Sequence, residues 1–478
     1  MSFSADAHIV VQALNDYYLE SVSQEEPVIR QVPLNQLIRE LDLASWTGQG
    51  GLSGEKLKQF VEKYLAATTR IHHPAFMAHQ AAAPHYLGAL AALIDGFTNN
   101  GMSVFEMGPA GAGIEFFMIN WLLEKVGWKP APWPMPDKRG EPCGGGVLTH
   151  GGSLANLTAL LAARSRIAPE VWEQGNSGDL VLLAPAESHY SVARAASILG
   201  LGRKAVYALA VDQKGVVIPD RLPVLLKQVQ SQGKRVMALV ANACSTAVGL
   251  YDPLVEIGAF CRENRLWFHV DSAHGAAALL SDRHRQLLSG LESADSCIWD
   301  AHKLMRTPNL CAAVLVKDAE TLDRAFQQEA SYLFHEKEQL GFDFIHRTVE
   351  CTKAGLGLKF FAVLAAMGEQ GLGAYIDRQF QLAQEAYEYI RELPEFECPV
   401  SPQSNILCFR IQGSDVLQIA IRDRLMAEGS FHLSTTVFKS KRYLRMVFMS
   451  PHTGMEQVKQ LIARVREMAE EVKRKNEG

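Results

Sequence analysis

The stretch that decides the reading of this chain is Ser296-Cys297-Ile298-Trp299-Asp300-Ala301-His302-Lys303-Leu304-Met305, "SCIWDAHKLM". Its first residues read as a buried strand. A lysine follows, with a histidine directly before it and apolar residues directly after. Burying an ammonium is costly unless the group is paired or gives up its charge. Lys303 at a strand end therefore calls for a chemical partner, and the surrounding chain has to supply it.

On either side of this stretch the sequence alternates. From Gly146, short apolar runs ("GVLTH", "DLVLLAP", "KAVYALAV", "RVMALVANA", "LWFHVD", "CAAVLVKD") are separated by helical segments such as "SLANLTALLAARS" and "RLPVLLKQVQ". Strands alternating with helices predict βαβ units and a mostly parallel sheet covered on both faces. Ligands bind such sheets at the carboxyl ends of the strands. Upstream, "AHIVVQALNDYYLESV", "VPLNQLIREL" and "GEKLKQFVEKYLAATTR" carry apolar residues at helical spacing. A proline-rich stretch, "GWKPAPWPMPDKRGEPCGGG", closes that part. Downstream of about Gly373, a long amphipathic segment, two strand-like pieces ("SNILCFRI", "RYLRMVFMS") and a charged helix read as a smaller α+β domain. The expected organisation is a helical N-terminal segment (1–95), a large α/β domain (96–373) and a small C-terminal α+β domain (374–478).

Composition narrows the function. The 478 residues are 48% hydrophobic and 21% charged, as in a soluble globular protein. A net charge of -5 gives no general reason to bind nucleic acid or an anionic membrane. The first basic residue is Arg30, so no signal peptide is expected, and no apolar run reaches the length of a membrane span. The 8 cysteines occur singly, which argues against a zinc site or a disulfide framework and predicts a cytoplasmic protein. The histidines of "HHPAFMAHQ" have no carboxylate or cysteine at ligand spacing, so no metal is expected.

Four features fall where strands should end. Gly151-Gly152-Ser153 joins a strand to a helix, a place where backbone N–H groups meet a phosphate, although an ordinary βα turn looks the same. His189, at the start of a helix, could stack on a flat ring or simply cap the helix. Asp271 ends the buried run "LWFHVD" and could face a protonated ring nitrogen or cap the next helix. Lys303 is the fourth. Singly each has a bland reading; jointly they describe a pyridoxal phosphate site in which Lys303 is held as a Schiff base.

With "HVDSAHG" followed by "ADSCIWDAHKLM", the chain resembles the group II pyridoxal-phosphate amino-acid decarboxylases, among them the aromatic-L-amino-acid, glutamate and 2,4-diaminobutyrate enzymes. The likeness runs from about Pro74 into the C-terminal domain. It implies the type I fold of pyridoxal-phosphate-dependent transferases and a homodimer whose active sites lie at the subunit interface, with the N-terminal segment packed on the partner. It also implies that Lys303 binds the cofactor aldehyde, Asp271 pairs with the pyridine nitrogen and His189 lies against the ring. Gly152, Ser153 and His302 would hold the phosphate, and Thr246, Asp252 and Ala273 would lie near the cofactor. Cys244 stands where a glycine is usual and His274 where relatives often carry a large aromatic residue. In "QQEASYLFHE", Tyr332 matches the tyrosine of a mobile loop that protonates the substrate carbon.

The implied reaction removes the α-carboxylate of an L-amino acid as CO2, leaving a primary amine. Substrate determinants should lie in "HHPAFMAHQAAAPHY" and "NNGMSVFEMGPAGAG", with His79, Gln80 and Phe105 as pocket candidates. Aromatic decarboxylases usually carry bulky rings where Gln80 and Ala81 stand. An acyclic polar substrate is therefore expected, resembling 2,4-diaminobutyrate, glutamate or aspartate. The alternatives are an aromatic-amino-acid decarboxylase, a decarboxylating aldehyde synthase, against which Tyr332 argues, and a non-catalytic binding subunit, against which Lys303 and Asp271 argue.

Overall fold

The apolar runs of the central segment form β1 (Gly145–Thr149), β2 (Leu180–Pro185), β3 (Val206–Leu209), β4 (Arg235–Asn242), β5 (Phe268–Asp271), β6 (Ser296–Asp300) and β7 (Ala312–Val316). In this computed structural model, which describes residues 2–133, 142–326 and 341–477, they join in one sheet of order β1-β7-β6-β5-β4-β2-β3. Strands β2 to β6 pair in parallel. Strand β7 runs antiparallel to both its neighbours. The reason is local: residues 301–311 are too few for a helical crossover, so the chain turns back directly. Lys303 sits in that return.

Both faces of the sheet are covered, which is why β6 reads as a continuous apolar run rather than an alternating one. On one face Ala155 and Ala159 of the helix Gly152–Ile167 pack with Ile298 and Val314. Their small side chains let the helix backbone come close to the strand ends. On the other face Trp299 meets Trp121 of the helix Pro109–Val126, ring centroids 6.2 Å apart, and Trp121 meets Phe360 at 6.1 Å. Burying a ring of this size stabilises the fold by about 4–6 kcal/mol as an upper bound.

One ion pair in this layer is fully buried. Lys353 Nζ donates to Glu115 Oε2, both side chains having no exposure. Glu115 Oε1 accepts from the Leu148 N–H of β1 at 2.8 Å, and the Lys353 carbonyl accepts from Met102 N–H at 2.8 Å. The pair thus fixes the helix, β1 and the segment before Gly357 to one another.

The chain divides into two units, Pro84–Arg378 and the combination of Met1–Ala83 with Gln379–Gly478. The second is built on an antiparallel sheet of order β10-β11-β9-β8, from β8 (Phe396–Glu397), β9 (Ile406–Ile411), β10 (Ser434–Phe438) and β11 (Lys441–Val447). Its core joins Phe409 and Leu444 of the sheet with Leu461 and Val465 of the last helix. Val28 and Ala75–Ala78 belong to the same core. Met77 donates to the His432 carbonyl at 3.0 Å and accepts from Val447 N–H at 2.8 Å. Among the described residues no helix is long and apolar enough to cross a membrane.

Candidate active site

The strands that run together release their chains at one edge, and the residues just beyond them surround a cavity of about 260 Å³. His189, Thr246, Asp271, Ala273, His302 and Lys303 line it, as do Gly152 and Ser153. The structure thus brings together eight of the nine residues assigned to the cofactor from the sequence, Asp252 being the exception. Cys244 and His274 line it as well.

Asp271, 7% exposed, is held from behind. Asn156, on the first turns of the helix Gly152–Ile167, donates from Nδ2 to Asp271 Oδ2 at 2.9 Å and to Ser191 Oγ at 2.8 Å. Asn156 Oδ1 lies 2.8 Å from His269 Nε2, and His269 Nδ1 lies 2.8 Å from Ser296 Oγ. Ser296 Oγ accepts from Trp267 Nε1–H at 2.9 Å. One assignment satisfies every group: Trp267 donates to Ser296, Ser296 to His269 Nδ1, His269 Nε2–H to Asn156, and Asn156 to the carboxylate. Burial depresses the His269 pKa to about 4, keeping it neutral as this chain requires. Ala273 N–H adds a longer contact, 3.3 Å, to Asp271 Oδ1.

His189 is tied into the same network, its Nδ1 2.7 Å from Ser191 Oγ. Burial lowers its pKa, with Asp271 pulling the other way, so a neutral ring faces the cavity.

At the opposite wall the chain passes from Gly151 (φ +108°, ψ 159°) into the helix at Gly152. A Cβ on Gly152 would stand 2.8 Å from Asp300 Oδ2, so only glycine fits beside that carboxylate. Ser153 follows, and His302 turns Nδ1 to the Cys311 carbonyl at 2.8 Å. Bare helical N–H groups, a hydroxyl and an imidazole form a cradle for an anion. Lys303 Nζ lies 3.0 Å from Asp300 Oδ2, with His302 Nε2 3.6 Å from the same oxygen. An anion cradle, an amine and a firmly held carboxylate fit the phosphate, aldehyde and ring nitrogen of pyridoxal phosphate.

Of the other candidates, none that the structure describes lines the cavity. Asp252 gives both oxygens to backbone, accepting from Asn242 N–H at 2.7 Å and Val217 N–H at 3.0 Å, and does not line the cavity. Burial raises its pKa to about 6. Phe105 takes its N–H to Asp343 at 2.8 Å and also lies outside the lining. His79 belongs to the other unit, edge-on to His432 at 5.5 Å, as does Gln80. Tyr332 lies outside the described residues.

Asn156, His269 and Asp300 escaped the sequence reading, though each left a signal. His269 is two residues before Asp271, so the two share one strand face. Asn156 is the polar residue in an alanine- and leucine-rich helix start. Asp300 is a charge closing a strand that is otherwise apolar at its core.

Comparison with known proteins agrees with this geometry. A profile of the family described as pyridoxal-dependent decarboxylase conserved domain matches residues 48–412. The chain is 29% identical to the acidic amino acid decarboxylase GADL1 of Mus musculus over 464 residues, covering 93% of this chain and 82% of that one. It is 30% identical to the cysteine sulfinic acid decarboxylase of Homo sapiens over 366 residues, 74% of this chain and 71% of the relative. The crystal structure of mouse CSAD matches with a TM-score of 0.87 at 25% identity, covering 98% of both chains. The architecture is thus the type I fold of pyridoxal-phosphate enzymes. The chain belongs to the pyridoxal-dependent decarboxylase family, and its activity is that of a pyridoxal-phosphate-dependent amino-acid carboxy-lyase.

Proposed function

We propose that the protein decarboxylates an acyclic L-amino acid with a polar, preferably acidic, side chain. The observation that carries the reaction is the placement of Lys303 and the relay-held Asp271 on one cavity, with the Gly152–Ser153 cradle beside them. The preference for acidic substrates is supported by the names of the relatives and by Gln80 and Ala81 standing where a ring-binding pocket would need bulk.

In this reading Lys303 holds the cofactor and later releases the amine product. When bound, pyridoxal phosphate supplies an electron-accepting ring that takes up the electron pair left by departing CO2. Asp271 keeps a proton on the heterocycle nitrogen by its charge, and the four residues behind it keep the carboxylate aimed. His189 covers one face and remains neutral, so it adds no positive charge to compete for those electrons. Gly152, Ser153, Thr246 and His302 fix the phosphate end. Tyr332 delivers a proton to the substrate Cα.

The reading includes a cytoplasmic homodimer. Eight cysteines, none of them in a disulfide, suit a reducing compartment. The helix Tyr86–Thr98 leaves Tyr86, Leu90, Leu93, Ile94 and Phe97 exposed on a single chain, a face suited to burial by a second copy. The N-terminal helical segment is assigned to the same contact.

The test is CO2 release measured across aspartate, glutamate, cysteine sulfinate, 2,4-diaminobutyrate, tyrosine and tryptophan with the cofactor-loaded protein. Turnover of the acyclic acids well above the aromatic ones is expected. Preferential release from tyrosine or tryptophan would overturn the substrate assignment.

A further inference from the structure

A second cavity, of about 670 Å³, takes no part in the reaction above. It lies at the free edge of the large sheet, beside the end of β2 and along β3. Pro185, Val206 and Ala208 give it an apolar wall, and the helix Tyr190–Ile198 contributes Tyr190 and Arg194. Arg203, in the turn that leads into β3, completes the polar side.

No carboxylate is among the described residues that line this cavity. Neither guanidinium has an acid partner among the described residues: Arg194 lies over the Tyr190 ring, 4.5 Å from its centroid, and Arg203 is exposed. Arg235, at the start of β4, shows the contrast, pairing with Asp179 at 2.5 Å and Glu170 at 2.8 Å. Two guanidiniums without counter-charge on one hollow suit a phosphate, whose oxygens accept paired N–H bonds from each. Volume decides what the phosphate is attached to. Inorganic phosphate would leave most of the space empty, whereas pockets for small organic ligands run to about 300–1,000 Å³. The apolar wall would take the remainder of such a molecule.

His189 lines this cavity and the active-site cavity alike. Its ring centroid lies 4.1 Å from that of Tyr190, on which Arg194 rests, and the Arg194 charge acts on His189. We infer that the edge cavity is a second ligand site, taking an organic phosphate of nucleoside monophosphate size, and that its occupancy is felt at the active site through Arg194, Tyr190 and His189. The decarboxylation itself does not call on it, so its role is regulatory.

The test uses cofactor-loaded protein, in which the phosphate cradle is already filled. It is titrated calorimetrically with adenosine monophosphate, adenosine and inorganic phosphate, and its cofactor absorption spectrum is followed. One saturable site per chain is expected for the nucleotide, with either fragment at least about tenfold weaker. Arg203→Ala should weaken nucleotide binding by about tenfold or more and leave CO2 release in its absence unchanged. Arg194→Ala should weaken it similarly and abolish the spectral change that the nucleotide causes in wild type; if that variant fails to fold, Arg203→Ala decides alone. Absence of saturable nucleotide binding, equal affinity in wild type and Arg203→Ala, or either fragment binding as tightly as the nucleotide overturns the site. Nucleotide binding that leaves the wild-type cofactor spectrum unchanged overturns the coupling through His189.

Discussion

Replacing Asn156 with alanine tests whether the relay holds Asp271 in place. Asn156 is 1% exposed and makes three contacts of 2.8–2.9 Å, to Asp271, Ser191 and His269. The bond to the carboxylate is charge-assisted, and losing it costs about 1.5–3 kcal/mol. His269 Nε2–H then faces a void with no acceptor, an additional cost of about 1–3 kcal/mol. Partial relaxation and an entering water offset some of this, leaving roughly 2–5 kcal/mol. In a unit of this size each kcal/mol moves the unfolding midpoint by about 2 °C, so a fall of about 4–10 °C is expected by scanning calorimetry of the cofactor-free protein. Cofactor affinity should fall about tenfold, since a loosened carboxylate pairs less well with the ring nitrogen. A midpoint lowered by less than about 2 °C with unchanged affinity would refute the relay as the support of Asp271.

Three further outcomes are expected from the same contacts. Lys353→Met strands the Glu115 charge in the core and should destabilise by about 3–5 kcal/mol, whereas Glu115→Leu combined with Lys353→Met should recover most of that loss in thermal unfolding. His269 is neutral in the fold, with a pKa of about 4, but titrates near 6.5 when unfolded. The unfolded chain therefore binds more protons between those values, so its contribution is full above pH 6.5 and about 3 kcal/mol is lost as pH falls toward 4. Denaturant midpoints measured across that window check both sign and size. Tyr332→Phe should leave cofactor affinity intact and divert product from amine toward aldehyde; unchanged amine yield by chromatography would remove Tyr332 from the mechanism.

The strand runs were legible because each is short, apolar and bounded by turn residues, and the helix start at Gly152 because two glycines mark it. The lysine was legible because a cation after a buried strand needs a reason. What stayed hidden is non-local. Nothing near Ala75–Ala78 announces that these residues share a core with Phe409 and Leu444, more than three hundred positions away. The Asn156–Asp271 bond spans 115 residues and depends on how closely an alanine-faced helix approaches β6. Asp300 reads from sequence as a strand end, and only the fold shows it against Gly152 and Lys303. The reversed strand β7 was readable in principle from the shortness of its connection.

Reduction with borohydride tests the identity of the cofactor-bearing nitrogen most directly. Cofactor-loaded protein is reduced, digested and mapped by mass spectrometry. A single pyridoxyl adduct on the peptide carrying His302 and the lysine after it is the expected result. An adduct on another amine, such as Lys353 or Lys359, or no adduct at all, would contradict the account.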